Sequence, residues 1–112
     1  MPGPPDDCLF CRLVREGDHV RADDGFVAIA DINPQAPTHL LVLPERHVDT
    51  FRDVSEFPPE EASRMLAFVA ETAAAAGLTD YRVVVNVGRG GGQTVFHLHW
   101  HILGGRPMGE TL

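Results

Sequence analysis

The sequence predicts an α+β fold: a five-stranded antiparallel sheet with one long and one short helix packed on one face. Three observations carry this. Short apolar segments of strand length are punctuated by turn residues. One longer segment repeats apolar residues at helical spacing. Near the C-terminus, His97-Leu98-His99-Trp100-His101-Ile102-Leu103 alternates polar and apolar residues with the period of a strand.

The elements follow in chain order. Residues 9–16 form a short helix facing inward through Leu9 and Leu13, with Phe10 and Val14 beside them, and Gly17 ends it. Residues 20–22 and 26–30 are two strands joined by a hairpin turn at Asp23-Asp24-Gly25. Residues 31–37 form a loop rich in turn residues, and 39–43 a third strand stopped by Pro44. Pro58 and Pro59 with Glu60 and Glu61 open a long helix, 59–76, since proline and acids suit a first turn. Its buried stripe is Ala62, Met65, Leu66, Val69 and Ala73, and Gly77 follows its end. Residues 81–86 are the fourth strand, and the histidine row, with Phe96, Leu98, Trp100 and Ile102 facing the core, is the fifth.

The chain has 112 residues, enough for one domain with its own core. Its organisation reads as a mobile arm (1–7), a single domain (8–107) and a short tail (108–112). A net charge of −7 without a basic patch argues against nucleic acid as a partner. No apolar run is long enough for a transmembrane helix, so no membrane partner is expected. The acidic, proline-rich start lacks the apolar region of a signal peptide, and a cytoplasmic location is expected.

Several pieces can carry chemistry. His97, His99 and His101 would share one strand face, each about 7 Å from the next. Imidazole is a nucleophile, general acid or metal ligand near neutral pH. One ion cannot be held directly by all three, because such a row spans about 13 Å. Cys8-Leu9-Phe10-Cys11 reads as a metal half-site, a redox pair or two buried hydrophobes; two histidines would complete a Cys₂His₂ zinc site, with His39, His47 and the row as candidates. His47 alone also reads as a solvated loop residue. Gly88-Arg89-Gly90-Gly91-Gly92-Gln93-Thr94 reads as an anion-binding nest of backbone N–H groups or as a plain hairpin loop. Asp31 either caps a turn or accepts hydrogen bonds from a ribose diol.

The row His97 to Leu103 resembles the His-φ-His-φ-His-φ-φ signature of the histidine triad (HIT) superfamily, φ being apolar. Cys8-Leu9-Phe10-Cys11, Asp31-Ile32-Asn33-Pro34-Gln35-Ala36-Pro37-Thr38-His39, Tyr81-Arg82-Val83-Val84-Val85-Asn86 and Gly91-Gly92-Gln93-Thr94-Val95-Phe96 extend the resemblance in order, and Gly104-Gly105-Arg106 is similar to the Hint branch. The resemblance spans residues 8–107. It implies a homodimeric purine nucleoside phosphoramidase or nucleotidyl hydrolase acting at the α-phosphate of AMP or GMP conjugates through a covalent nucleotidyl-histidine. His99 would be the nucleophile, with His101 and His39 binding phosphate or orienting the triad. Asn86, Gln93 and Thr94, with the Gly92 backbone, would hold phosphate oxygens. Asp31 would hold the ribose, and Ile32 would line the base pocket. A structural zinc would sit on Cys8, Cys11, His47 and His97, while His19 is left as a surface residue.

Two alternative activities remain in view: cleavage of dinucleoside polyphosphates, and nucleotide binding without catalysis. The homodimer has a second motive in Val83-Val84-Val85, which make the fourth strand apolar on both faces. The chain departs from the family in its tail, Pro107-Met108-Gly109-Glu110-Thr111-Leu112, which is short and lacks aromatic residues.

Overall fold

The computed structural model describes residues 8–109; the expected arm, 1–7, and the end of the expected tail, 110–112, lie outside them. The elements are α1 (Leu9–Glu16), β1 (Arg21–Asp23), β2 (Phe26–Ala30), β3 (Thr38–Pro44), a 3-10 turn (Phe51–Glu56), α2 (Pro59–Ala75), β4 (Tyr81–Val84), a second 3-10 turn (Arg89–Gly91) and β5 (Trp100–Gly104). The strands form one antiparallel sheet in the order β1-β2-β3-β5-β4. The β1–β2 hairpin turns through Asp24 (φ 53°) and Gly25 (φ 93°). Two consecutive positive φ angles match the strands' twist, and Asp-Gly is well suited to them.

Two apolar layers flank the sheet. Phe26, Ala28, Leu40, Val42, Trp100 and Ile102 face α2, which buries Met65, Phe68, Val69 and Ala73 against them. Val27, Ile29, Leu41 and Leu43 face the other way, where Phe10, Leu13 and Val14 of α1 cover them. The expectation of helices on one face is therefore corrected: α1 and α2 lie on opposite faces. The reason is legible in β2 and β3, whose side chains are buried in succession rather than alternately. A strand apolar on both faces needs cover on both.

Other departures are local. Leu9 and Leu66, expected inside, are exposed, while Phe68 and Thr72 take the inward positions on α2. β4 stops at Val84, two residues early, and is an edge strand with Tyr81 and Val83 exposed. The fifth strand begins only at Trp100. The register Val42↔Trp100 would next pair Pro44 with Leu98, and proline has no N–H to give a ladder. Leu98 instead donates its N–H to the Val48 carbonyl (2.6 Å) and still points into the α2 layer. Phe96 lies outside that layer and stacks under Arg89.

Candidate active site and metal centre

Because the strand begins at Trp100, the three histidines are not a regular row. His97 sits in a bend and its ring turns toward α1. The Cys8 Sγ lies 3.6 Å from His97 Nδ1, and the Cys11 Sγ lies 3.4 Å from that atom and 3.1 Å from His47 Nδ1. The donor atoms of Cys8, Cys11, His47 and His97 all fall within 4.8 Å of one another. A tetrahedral zinc with ordinary bond lengths separates a sulfur from a nitrogen by about 3.6 Å. The outer contacts fit the same purpose. His47 donates from Nε2 to Asp49 (2.7 Å), and His97 from Nε2 to the Pro44 carbonyl (2.8 Å). Each ring hydrogen is thereby fixed on Nε2, and each Nδ1 lone pair faces the thiols, as in histidine ligands held by a second layer of acceptors. The donor set and its surroundings thus fit a tetrahedral ion. Burial pushes the Cys11 thiol up to about 12, with the neighbouring Cys8 adding to it and Arg15 only partly opposing it, and burial holds His97 down to about 4. A bound dication reverses that logic for a thiol. The cluster also anchors α1, because Cys8 is its N-cap and accepts the Cys11 N–H (3.2 Å). The solvated reading of His47 is set aside, since its side chain is 5% exposed.

His99 is arranged differently. Its Nδ1 donates to the His97 carbonyl (2.7 Å), which puts the hydrogen on Nδ1 and leaves Nε2 a free lone pair. Phe10 packs edge-on against the ring at 4.9 Å. Burial lowers the His99 pKa, so the neutral ring persists below the usual range.

His39 and His101 form a directed chain. The Gln35 backbone N–H donates to His39 Nδ1 (3.0 Å), so the His39 hydrogen is on Nε2. That Nε2 lies 2.9 Å from His101 Nδ1 and 3.4 Å from Asp31 Oδ2. Donating to His101 Nδ1 leaves the His101 hydrogen on Nε2, a buried atom with no partner among the described residues. Burial first, then the His99 and His39 rings, lower the His101 pKa to about 4. Asp31, His39 and His101 also bring three ligand atoms together. They do not make an open metal site, because each histidine Nδ1 lone pair already accepts a hydrogen bond.

Both His99 and His101 line a cavity of about 250 Å³. Leu9, Phe10, Leu13, Ile29, Ile32, Leu41 and Val95 make its apolar part; Asp31, Asn33 and Thr94 join the histidines in its polar part. Ile32 is 91% exposed, a wall with one side in solvent. Asp31 does cap its turn, accepting the Asn33 N–H on Oδ1 (2.8 Å), while remaining in the cavity wall.

The glycine loop departs from expectation. The N–H groups of Gly91, Gly92 and Gln93 close on the carbonyls of Gly88 and Arg89, and Gly88 donates to the Gln93 Oε1. Gln93 Nε2 donates to the carbonyls of Asp49 and Val95. The expected nest is therefore taken up internally, and Gln93, 4% exposed, ties the loop down instead of offering donors to a ligand. Gly92 (φ 94°) lies against Asn86, whose side chain would stand 3.7 Å from a Cβ there. Phe10, Gln35 and Asp49 are parts of the site that sequence reasoning missed. Only Asp49, a carboxylate two residues after a candidate ligand, left a usable signal. His19 is exposed, as expected.

The chain matches the family model described as "HIT domain" over residues 12–108. It is 39% identical over 112 residues to the purine nucleoside phosphoramidase of Escherichia coli strain K12, covering 96% of this chain and 94% of that protein. Among solved structures it is similar to a HIT family hydrolase from Legionella pneumophila, with a TM-score of 0.85, 42% identity, and 92% and 96% of the two chains covered. It is also similar to a Zn-bound histidine triad family protein from Mycobacterium smegmatis, with a TM-score of 0.77, 31% identity, and 91% and 77% covered.

Proposed function

Since the chain belongs to the HIT family, we propose that it is a hydrolase of purine nucleoside phosphoramidates, with His99 as its nucleophile. One observation carries the reading. His99 directs a bare Nε2 lone pair into a cavity that has an apolar base-sized end, while its Nδ1 hydrogen is held by a carbonyl. A neutral imidazole so oriented can attack phosphorus. The relative from Escherichia coli is named for this activity, which supports the substrate class.

Each residue then has a part. The base lies among Phe10, Leu13, Ile29 and Ile32, where apolar contact accepts either purine. Asp31 faces the ribose hydroxyls. The His101 Nε2–H, otherwise unpartnered, donates to a phosphoryl oxygen or the departing atom, where charge gathers in the transition state. Asn86, the Gly92 backbone and Thr94 flank the phosphate, and Gln93 shapes their loop. Attack by Nε2 forms an N–P bond and expels the amine; water then releases the nucleotide and frees His99. Zinc on Cys8, Cys11, His47 and His97 supplies a rigid anchor for α1 and His97, and no chemistry at phosphorus.

The same reading includes a homodimer. Tyr81 and Val83 on the edge strand and Leu66 on α2 are exposed apolar residues, and Val83 shares the α2 side of the sheet with its partner Ile102. Val83→Arg with Leu66→Arg should yield monomers by light scattering; an unchanged mass would remove this interface.

The deciding experiment for the activity is rapid quench during turnover of adenosine 5′-phosphoramidate, beside diadenosine polyphosphates. A nucleotidylated His99 and preference for the phosphoramidate support the proposal. Label on His97 or His101, or no turnover with normal AMP binding, would overturn it.

A further inference from the structure

The segment after β5 presses on the loop 31–37 at two points. Arg106 Nη2 donates to the Gln35 carbonyl (3.0 Å), while its Nη1 donates to the Pro107 carbonyl (3.2 Å). Gly105 (φ 94°) runs so close to Pro37 that a Cβ on it would lie 2.9 Å from the proline Cβ. The loop's ends are fixed by other means: Asp31 N–H bonds to the His39 carbonyl, and Thr38 pairs with Gly104. Gln35 lies at its middle, where its side chain donates to the Asn33 carbonyl within the same loop. The Gln35 backbone is held on both sides, its N–H by His39 Nδ1 on β3 and its carbonyl by Arg106.

We propose that Arg106, by clamping the Gln35 carbonyl and so fixing the residue whose N–H meets His39, is a positioning residue that helps His101 present a hydrogen to the cavity. With the Gln35 N–H aimed at it, His39 Nδ1 must be an acceptor. His39 then donates from Nε2 to His101 Nδ1, and His101 is left with its hydrogen on Nε2. In the opposite arrangement, a hydrogen on His39 Nδ1 would meet the Gln35 N–H head-on. His101 would then donate from Nδ1 to His39 and show the cavity a lone pair. A lone pair repels a phosphoryl oxygen, whereas an N–H stabilises it. The Gln35 N–H on one side of His39 and Asp31 Oδ2 on the other thus set the sign of the site together, and an exposed arginine holds the carbonyl of the residue that bears that N–H.

The catalytic consequence rests on the proposed role of His101, but the hydrogen's position does not, so the test reads both. Long-range ¹H–¹⁵N spectra of the full-length, metal-loaded chain report which imidazole nitrogen bears the hydrogen. We expect Nε2–H on His39 and His101 and Nδ1–H on His99. Arg106→Ala should give His39 a mixed pattern and lower kcat about tenfold, the scale of one lost hydrogen bond, with AMP affinity changed less than about twofold. Arg106→Lys should restore most of both. Gln35→Pro, which deletes the N–H, should shift His39 toward Nδ1–H. Nδ1–H on His39 in the unaltered protein overturns the proposal, as does an Arg106→Ala protein with an unchanged His39 pattern. If the chain does not turn over phosphoramidates yet shows the expected pattern and its loss in Arg106→Ala, the clamp stands and the proposed activity fails.

Discussion

The two histidine clusters use the same tautomer for opposite ends. His47 and His97 carry their hydrogens on Nε2, and so do His39 and His101. In the first pair the Nε2 hydrogens are absorbed by Asp49 and the Pro44 carbonyl, and the Nδ1 lone pairs converge on two thiols. In the second pair the Nδ1 lone pairs are filled by N–H donors, and the last hydrogen is left over at the cavity. The first is a pocket of lone pairs, fit for a cation. The second is a chain that ends in a donor, fit for an anion. Histidine count does not separate the two; the polarity of the outermost partner does. His99 stands between them with the reverse tautomer, set by the carbonyl of His97. His97 thus serves both regions, its ring in one and its backbone in the other.

The comparison can be broken at its centre. His99→Ala should reduce phosphoramidate turnover by at least ~10³-fold, as expected for a lost covalent nucleophile, while AMP binding by calorimetry stays within a few-fold. Retained turnover would mean that the free lone pair is not the reactive one. Next in size is Cys11→Ser. Elemental analysis should find about one zinc per unaltered chain and little in the variant, with a marked fall in Tm. A variant of full stability would deny the metal its structural part. Asp49→Ala sharpens the contrast, because it touches only the outer partner of His47. Metal competition should show affinity about 10- to 100-fold weaker. Its single-turnover rate with bound metal should hardly change.

The smallest effect is in pH. Burial lowers His99 and takes His101 to about 4, so both stay neutral below the usual imidazole range. The acid limb of kcat/KM should therefore fall below pH 6.5, the ordinary histidine value. For stability, unfolded His101 takes up a proton near 6.5 that the folded ring resists down to about 4. Its contribution is full above 6.5 and declines as pH drops through that window. An acid limb above 6.5 would contradict the burial seen around His99.

The sheet was readable because period-two alternation survives packing: Leu98, Trp100 and Ile102 do face one layer. The sides of the helices were not, because the single apolar side of α1 could cover either face of the sheet and only the doubly buried strands reveal that it covers the second one. The four metal-ligand candidates come together from α1, a loop and a bend, which spacing alone does not foretell; the family resemblance named them. Composition misled at the glycine loop. Four glycines suggest free N–H groups, but the carbonyls of Gly88 and Arg89 take those of Gly91 and Gly92, the buried Gln93 side chain takes that of Gly88, and no local pattern announces that a carboxamide will fold back on its own loop.

One feature of α1 reaches further than its size. It is eight residues long, below the length at which a helix holds itself together in water. Its N-cap, Cys8, and its Cys11 belong to the Cys/His cluster, while Phe10 and Leu13 wall the cavity. The wall against which a purine would stack is thus a short segment ordered by its packing on β2 and β3 and by the cluster at its N-terminal end. A metal on the cluster and a nucleotide in the cavity would draw on the same ordering of this helix, so each would lower the entropy that the other must overcome. The two ligands would then be thermodynamically linked through a short helix that rests on one face of the sheet.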